Sequence, residues 1–327
     1  MARSPAAQNL HSLLFKCYES RDYDEFDDCY IELEDYIRTH SPRILLEKSA
    51  NNFTHLHDIL HLSFDYQKDF KFAEYICIKL INLFYRYISN YDIRAWQDLL
   101  NTVSNNGFTI LNEALYSGSS RITDFILSYL EDYPQILEKN LSNITRDGFS
   151  VLQHALASNS EPNVELILSY LTQYPKILEK NLSNITRAGF TVLQGALASK
   201  SERNVKLILS YLAKYPEILE KNLSNITQAG FTVLQDALAS KSERNVELIL
   251  SQLNQYPKIL EMNLSNITRD DFTILKKATR TKNRYIIQQI IDILKRYPDL
   301  YRFNLETKNR FGYSALDDLK NMPQIIL

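Results

Sequence analysis

Residues 189–229 read GFTVLQGALASKSERNVKLILSYLAKYPEILEKNLSNITQA, and residues 230–270 repeat them with nine differences and no gap. A period of this size dictates the fold. A unit so small cannot bury its own apolar face, so it must stack on copies of itself. The opening pair recurs at Gly107-Phe108, Gly148-Phe149, Gly189-Phe190, Gly230-Phe231, Asp271-Phe272 and Gly312-Tyr313, each step being 41 residues. Upstream, Asn52-Phe53 fits after a 55-residue step, and a weaker copy runs from near Leu10 to Asn51. The expected organisation is about eight units: a capping unit at 1–51, an enlarged unit at 52–106, five regular units over 107–311 and a truncated one at 312–327. With no Pro- or Gly-rich linker between them, they are expected to form one continuous domain.

Each regular unit parses into helices. Thr191 follows the Gly-Phe turn and caps a first helix over Val192–Ser199, with Leu193, Ala196 and Leu197 as its apolar stripe. Lys200 to Asn204 reads as a polar turn. Val205–Lys214 is a second helix, with Val205, Ile208, Leu209 and Leu212 inward at helical spacing. Pro216 ends it, because proline disfavours helical geometry in the residue before it, and opens a short third helix, Pro216–Asn222. Leu223 and Ile226 stay apolar up to the next turn. Near the N-terminus, residues 5–20 and 23–39 read as a helix pair, the second with Phe26, Tyr30, Ile31 and Leu33 inward. Phe70–Ile88 reads as a long buried helix and Asp92–Leu100 as a short one carrying Trp96.

An apolar fraction of 45% supports a continuous core, and a net charge of −2 gives no global case for nucleic acid or membrane. The charge is unevenly placed. Residues 19–35 hold nine acids against Arg21, and residues 276–310 hold ten Lys or Arg against Asp292, Asp299 and Glu306. Three cysteines, Cys17, Cys29 and Cys77, make no disulfide framework and suit a reducing compartment. No secretory signal and no membrane-spanning run is recognisable. The expected setting is therefore cytoplasmic.

The segment GFTVLQGAL resembles the ankyrin repeat, whose signature is G-x-T-P-L-H-x-A-A followed by two antiparallel helices. Phe53-Thr54-His55-Leu56-His57 retains both the Thr and the His, whereas Gln153, Gln194 and Gln235 stand at the His position of later units. The resemblance spans about residues 8–320. It implies an all-α, ankyrin-like solenoid that binds a protein partner. It departs in period, since ankyrin units run to about 33 residues. The surplus lies in KILEKNLSNIT-type segments, where a short third helix and a loop would replace the ankyrin hairpin. A three-helix armadillo-like or HEAT-like unit fits the length but does not explain G-F-T-x-L. Near-identical tandem units rich in Asn, Lys, Ile and Tyr also resemble the ankyrin-type effectors that intracellular bacteria inject into host cells. That comparison implies a partner in a eukaryotic cytosol.

Repeated columns supply the candidate sites. Phe108, Phe149, Phe190, Phe231 and Phe272, with Phe53 and Tyr313, hold one position; they form either an exposed aromatic stripe or packing against the preceding Leu/Ile segment. A second column drifts between otherwise similar units: Glu113, His154, Gly195, Asp236 and Lys277. In ankyrin-like stacks this column lies on the first helix and lines the concave face, where partner-specific tuning and neutral drift both apply. A third comprises the turn tips Arg146, Arg187, Arg269 and Arg310, broken by Gln228.

His57 and His61, one helical turn apart, invite a metal reading. The resemblance instead makes His57 a structural histidine, and no metal is expected. No phosphate loop, HExxH, CxxC or nucleophile elbow occurs, so no catalytic residue and no cofactor is expected. NLSNIT at residues 140, 181, 222 and 263 supplies eight formal glycosylation sequons, expected to be incidental, with their Leu and Ile inward.

The expectation is thus a monomeric, non-enzymatic scaffold for a protein partner, with no small-molecule substrate and no nucleic acid. Two alternatives remain at this stage. One is an enzyme with an atypical helical domain at 1–106; the other is a lipid or nucleic-acid contact through the basic C-terminal end. The apolar tail Met322–Leu327 is expected to fold back over the last helix pair.

Overall fold

In the computed structural model, the structure describes residues 3–65, 70–322 and 325. Among the described residues there are twenty-one α-helices and one 3-10 helix, with no named β-strand. The fold is an all-helical, ankyrin-like repeat. The chain divides into two compact units, Met1–Asn181 and Leu182–Leu327. No helix among the described residues is long and apolar enough to cross a membrane.

The first unit begins with an antiparallel pair, Pro5–Glu19 and Tyr23–Thr39, then a 3-10 turn at Pro42–Leu46. The enlarged repeat supplies His55–Asp65, Phe70–Tyr91 and Ile93–Leu100. Its long middle helix buries Phe72, Ile76, Leu80, Ile81, Phe84 and Ile88, and Trp96 is fully buried beside it. Two regular repeats follow, with helices Ile110–Tyr116, Ser120–Glu131 and Pro134–Leu141, then Val151–Ala157, Glu161–Leu171 and Pro175–Ser183. In the N-terminal pair one expectation fails. Ile31 is 58% exposed, and Phe26, Cys29, Leu33 and Ile37 carry the buried stripe.

The second unit holds three complete helix triplets. They are Val192–Ala198, Glu202–Leu212 and Pro216–Ser224; Val233–Ser240, Glu243–Leu253 and Pro257–Ser265; and Ile274–Arg280, Arg284–Leu294 and Pro298–Glu306. A last helix, Ala315–Leu319, begins a further repeat. Residues 323, 324, 326 and 327 lie outside the described residues, and with them the expected folding back of the tail. The second helix starts earlier than its apolar periodicity suggests. Ser201 accepts a hydrogen bond from the Asn204 amide and so turns Glu202 to Asn204 into its first turn.

Related polar groups recur from repeat to repeat, with Asn112 in place of Gln at one cap and Lys276 breaking the box at another. Thr191 and Gln194 form a reciprocal capping box, as do Ser150 with Gln153 and Thr232 with Gln235. The Gln at the ankyrin His position is therefore a cap. The sequon asparagines are structural. Asn222 Nδ2 donates to the Leu182 and Ile218 carbonyls at 3.2 and 2.9 Å, while its Oδ1 accepts from the Leu193 amide at 3.2 Å. Asn181 does the same in the first unit with Leu141, Ile177 and Leu152. The second asparagine of the motif, Asn225, donates to the Gly189 carbonyl and to Gln194 Oε1. Of the two apolar residues in that motif, Leu223 is buried, but Ile226 is 43% exposed because the chain has already turned outward toward the tip.

After the third helix a remnant of the hairpin survives. The Thr227 amide donates to the Phe231 carbonyl and the Gly230 amide to the Thr227 carbonyl, at 2.9 and 2.8 Å. The surplus residues thus build a third helix in front of a retained tight turn. Gly189 needs its missing side chain twice over. Its φ is +86°, and a Cβ would lie 2.9 Å from the Gln228 backbone nitrogen in the next turn.

Candidate interaction surface

The aromatic and drifting columns, separate in the sequence, meet on the face of the first helices. In the first unit the His154 ring lies between Phe108 and Phe149, with centroids 5.0 and 5.3 Å away. Burial pushes its pKa down to about 4, against the opposing charge of Asp147, so it is neutral at physiological pH. Its Nε2 is buried without a hydrogen-bond partner. A cavity of about 720 Å³ opens beside this ring, lined by Phe70, Phe108, Tyr116, Asp147, Phe149 and the helix end at Ala157 and Ser158.

In the second unit the corresponding residue is Lys277. Its ammonium lies 4.2 Å from the centroid of Phe231 and 5.1 Å from that of Phe272, and the Arg280 guanidinium is 4.9 Å from Phe272. Burial lowers the Lys277 pKa, as does Arg280, while Asp236 opposes them. Asp236 accepts a 2.8 Å hydrogen bond from Gln194 Nε2. Part of this side chain reaches solvent, but the carboxyl group sits among packed atoms, and burial pushes its pKa up to about 7. At Gly195 the column presents no side chain.

The aromatic column is therefore neither a free stripe nor plain core. Phe108, Phe149, Phe190 and Phe231 are half-buried, Phe272 is buried, and Tyr313 is exposed. Within each unit the rings form walls between which a drifting side chain inserts. Glu113, expected to line the concave face as a contact residue or to drift on a solvated one, does not reach solvent. It is buried, with its carboxylate 3.4 Å from His61 Nδ1. The tip residues Arg146, Arg187, Arg269 and Arg310 are exposed; Arg310 pairs with Asp270.

The histidine-rich helix separates into different roles. His57 Nδ1 meets Thr54 Oγ1 at 2.7 Å, and burial pushes its pKa down to about 4. His61 stacks on Tyr116 with an interplanar angle of 5°. The grouping not legible in sequence is His11, His55 and Asp58, whose potential ligand atoms lie within 4.8 Å of one another. Arg3 already occupies the place a cation would take, 2.5 Å from Asp58 Oδ2 and 3.3 Å from His11 Nδ1. Cys17 is buried, and that burial, with Cys29 and Glu32 nearby, pushes its thiol up to about 12, which suits core packing rather than nucleophilic attack.

No protein-family model and no curated protein matches the chain. Among solved structures it is similar to the ankyrin repeat domain of Bcl-3, a member of the IkappaB family. The identity is 16% and the TM-score 0.46, over 82% of this chain and 94% of that one. It is similar to the human ASB11 ankyrin repeat domain at 18% identity and a TM-score of 0.44, over 81% and 91%. A third likeness, at 20% identity and a TM-score of 0.43, covers 65% of this chain and 92% of the other. It lies in the complex of the predatory endopeptidase Bd0816 from Bdellovibrio bacteriovorus with immunity protein Bd3460. At such identities no residue's role transfers.

Proposed function

We propose that the protein is a non-enzymatic interaction module whose first-helix face grips a protein partner. The observation that carries this reading is the aromatic-walled cavity beside His154, where Tyr116 and Phe70 are 41% and 52% exposed. Large aromatics left open around a concavity are what a partner's anchoring side chain fills. Around them the frame is nearly invariant while His154, Asp236 and Lys277 differ, which suits a surface tuned position by position. The compositional resemblance to injected bacterial effectors makes the cytosol of a eukaryotic host the setting we propose.

The test is affinity capture by the full-length chain from a eukaryotic lysate. Tyr116→Glu and the charge reversals Asp236→Lys and Lys277→Glu should each remove or deplete the captured partner. Lys214→Glu, in the exposed turn after a second helix, should not. Capture indifferent to all three face variants would refute the reading.

A further inference from the structure

The cavity in the first unit and the basic surface in the second are the same place on the repeat, three periods apart. His154 corresponds to Lys277, and Ala157 corresponds to Arg280. In the second unit the chain lays its own two cations on the aromatic faces, Lys277 over Phe231 and Phe272 and Arg280 over Phe272. In the first unit a neutral imidazole and a methyl group stand at those positions, and a cavity of about 720 Å³ remains.

We propose that this cavity receives a cationic side chain, lysine or arginine, from the protein partner. The inference rests on the binding reading above. Four aromatic residues, Phe70, Phe108, Tyr116 and Phe149, line the cavity, and the quadrupole of an aromatic ring attracts a cation to its face. Among the described lining residues Asp147 carries the one formal charge, and it is negative. Burial keeps His154 uncharged, and no described side chain lining the cavity carries a positive charge. The described lining is thus aromatic with a negative formal charge, and the second unit shows that this chain seats cations on the equivalent rings.

The experiment is an NMR titration of the full-length chain labelled in its aromatic side chains. The probes are a blocked Gly-Gly-Lys-Gly-Gly peptide and its norleucine and acetyl-lysine counterparts. The lysine peptide should shift the His154, Phe108 and Tyr116 resonances saturably, with the neutral peptides about tenfold weaker. Asp147→Asn should weaken binding about threefold. Ala157→Arg copies Arg280 at an exposed position and should block the lysine peptide without changing the melting temperature. His154→Lys, which copies Lys277, is the second blocking variant. Equal binding of the norleucine or acetyl-lysine peptide would overturn the cation assignment and leave the binding reading standing. So would undiminished binding to both blocking variants, or no shift with any peptide. The binding reading itself falls only if partner capture ignores the face substitutions.

Discussion

Between Phe108 and Phe149 the chain places an uncharged imidazole; between Phe231 and Phe272 it places an ammonium. The rings and the asparagine ladder recur in both places, though Lys276 replaces the capping-box Gln in the second, so the difference lies mainly in the residues the frame presents, His154 and Ala157 against Lys277 and Arg280. That separation of duties is what a repeat protein permits. Stacking constrains the apolar and capping positions, while one position on the first helix, beside the aromatic column, changes without altering the fold. One consequence is that the chain's own ammonium lies over the rings at Lys277, whereas a cavity lies beside the ring of His154.

The largest effect comes from breaking a turn of the shared frame. Gly189→Val should cost about 3–4 kcal/mol in urea unfolding, because φ = +86° and a Cβ 2.9 Å from backbone nitrogen are penalised together. Gly312→Val should cost only about 1 kcal/mol, since its φ is +82° but no atom of the described residues lies within 4 Å of the added Cβ. Equal costs at the two sites would mean that the contact with the next turn contributes nothing.

Next comes the ladder. Asn263 is fully buried and serves the Leu223 and Ile259 carbonyls and the Leu234 amide. Asn263→Ala should cost about 2–3 kcal/mol, with Asn181→Ala alike in the first unit. A cost below about 0.5 kcal/mol in either would show that water replaces the side chain and that the frame is looser than the hydrogen bonds imply.

Much of this frame is legible in the sequence. The 41-residue period, the Thr caps and the Tyr-Pro boundaries give the helices nearly to the residue. Ser201 is the exception, since a polar tract conceals a helix start that only its hydroxyl cap reveals. The site was legible only in halves. Phe231 and Lys277 are 46 residues apart, and their contact arises because a drifting side chain reaches back to the ring of the preceding repeat. Pattern within one unit cannot show a contact between units. Burial of Glu113 likewise depends on His61, half a hundred residues upstream in the enlarged repeat, where the period itself is broken. The grouping of His11 with His55 and Asp58 needs the N-terminal helix laid against the third, which composition does not encode.

Asp236 sharpens the comparison through pH. Its folded pKa of about 7 stands above the ordinary carboxylate value, so protonation favours the folded chain. Its contribution is fully present below about pH 4 and is lost as pH rises through about 7. Asp236→Asn keeps an acceptor for Gln194 and removes this dependence. The variant should match the wild type near pH 4 and exceed it by about 1–2 kcal/mol at pH 8. Parallel stability curves for the two proteins from pH 4 to pH 8 would contradict the raised pKa.

The smallest effect isolates the cation itself. Lys277→Met keeps the unbranched stem between Phe231 and Phe272 but removes the ammonium 4.2 Å and 5.1 Å from their centroids. Two charge effects accompany the loss, relief of repulsion from Arg280 and loss of attraction to Asp236, and they oppose each other. The remainder is the attraction to the rings, about 0.5–1 kcal/mol at a half-buried site. A double-mutant cycle with Phe231→Leu separates it from packing, because only the coupled part depends on both partners. Lys277→Arg should retain the coupling, and added salt should leave it nearly unchanged, since the contact is short and partly shielded from solvent. Zero coupling would mean that the lysine merely fills space beside the rings, and the first unit's empty cavity would then hold no preference for a cation over an apolar side chain.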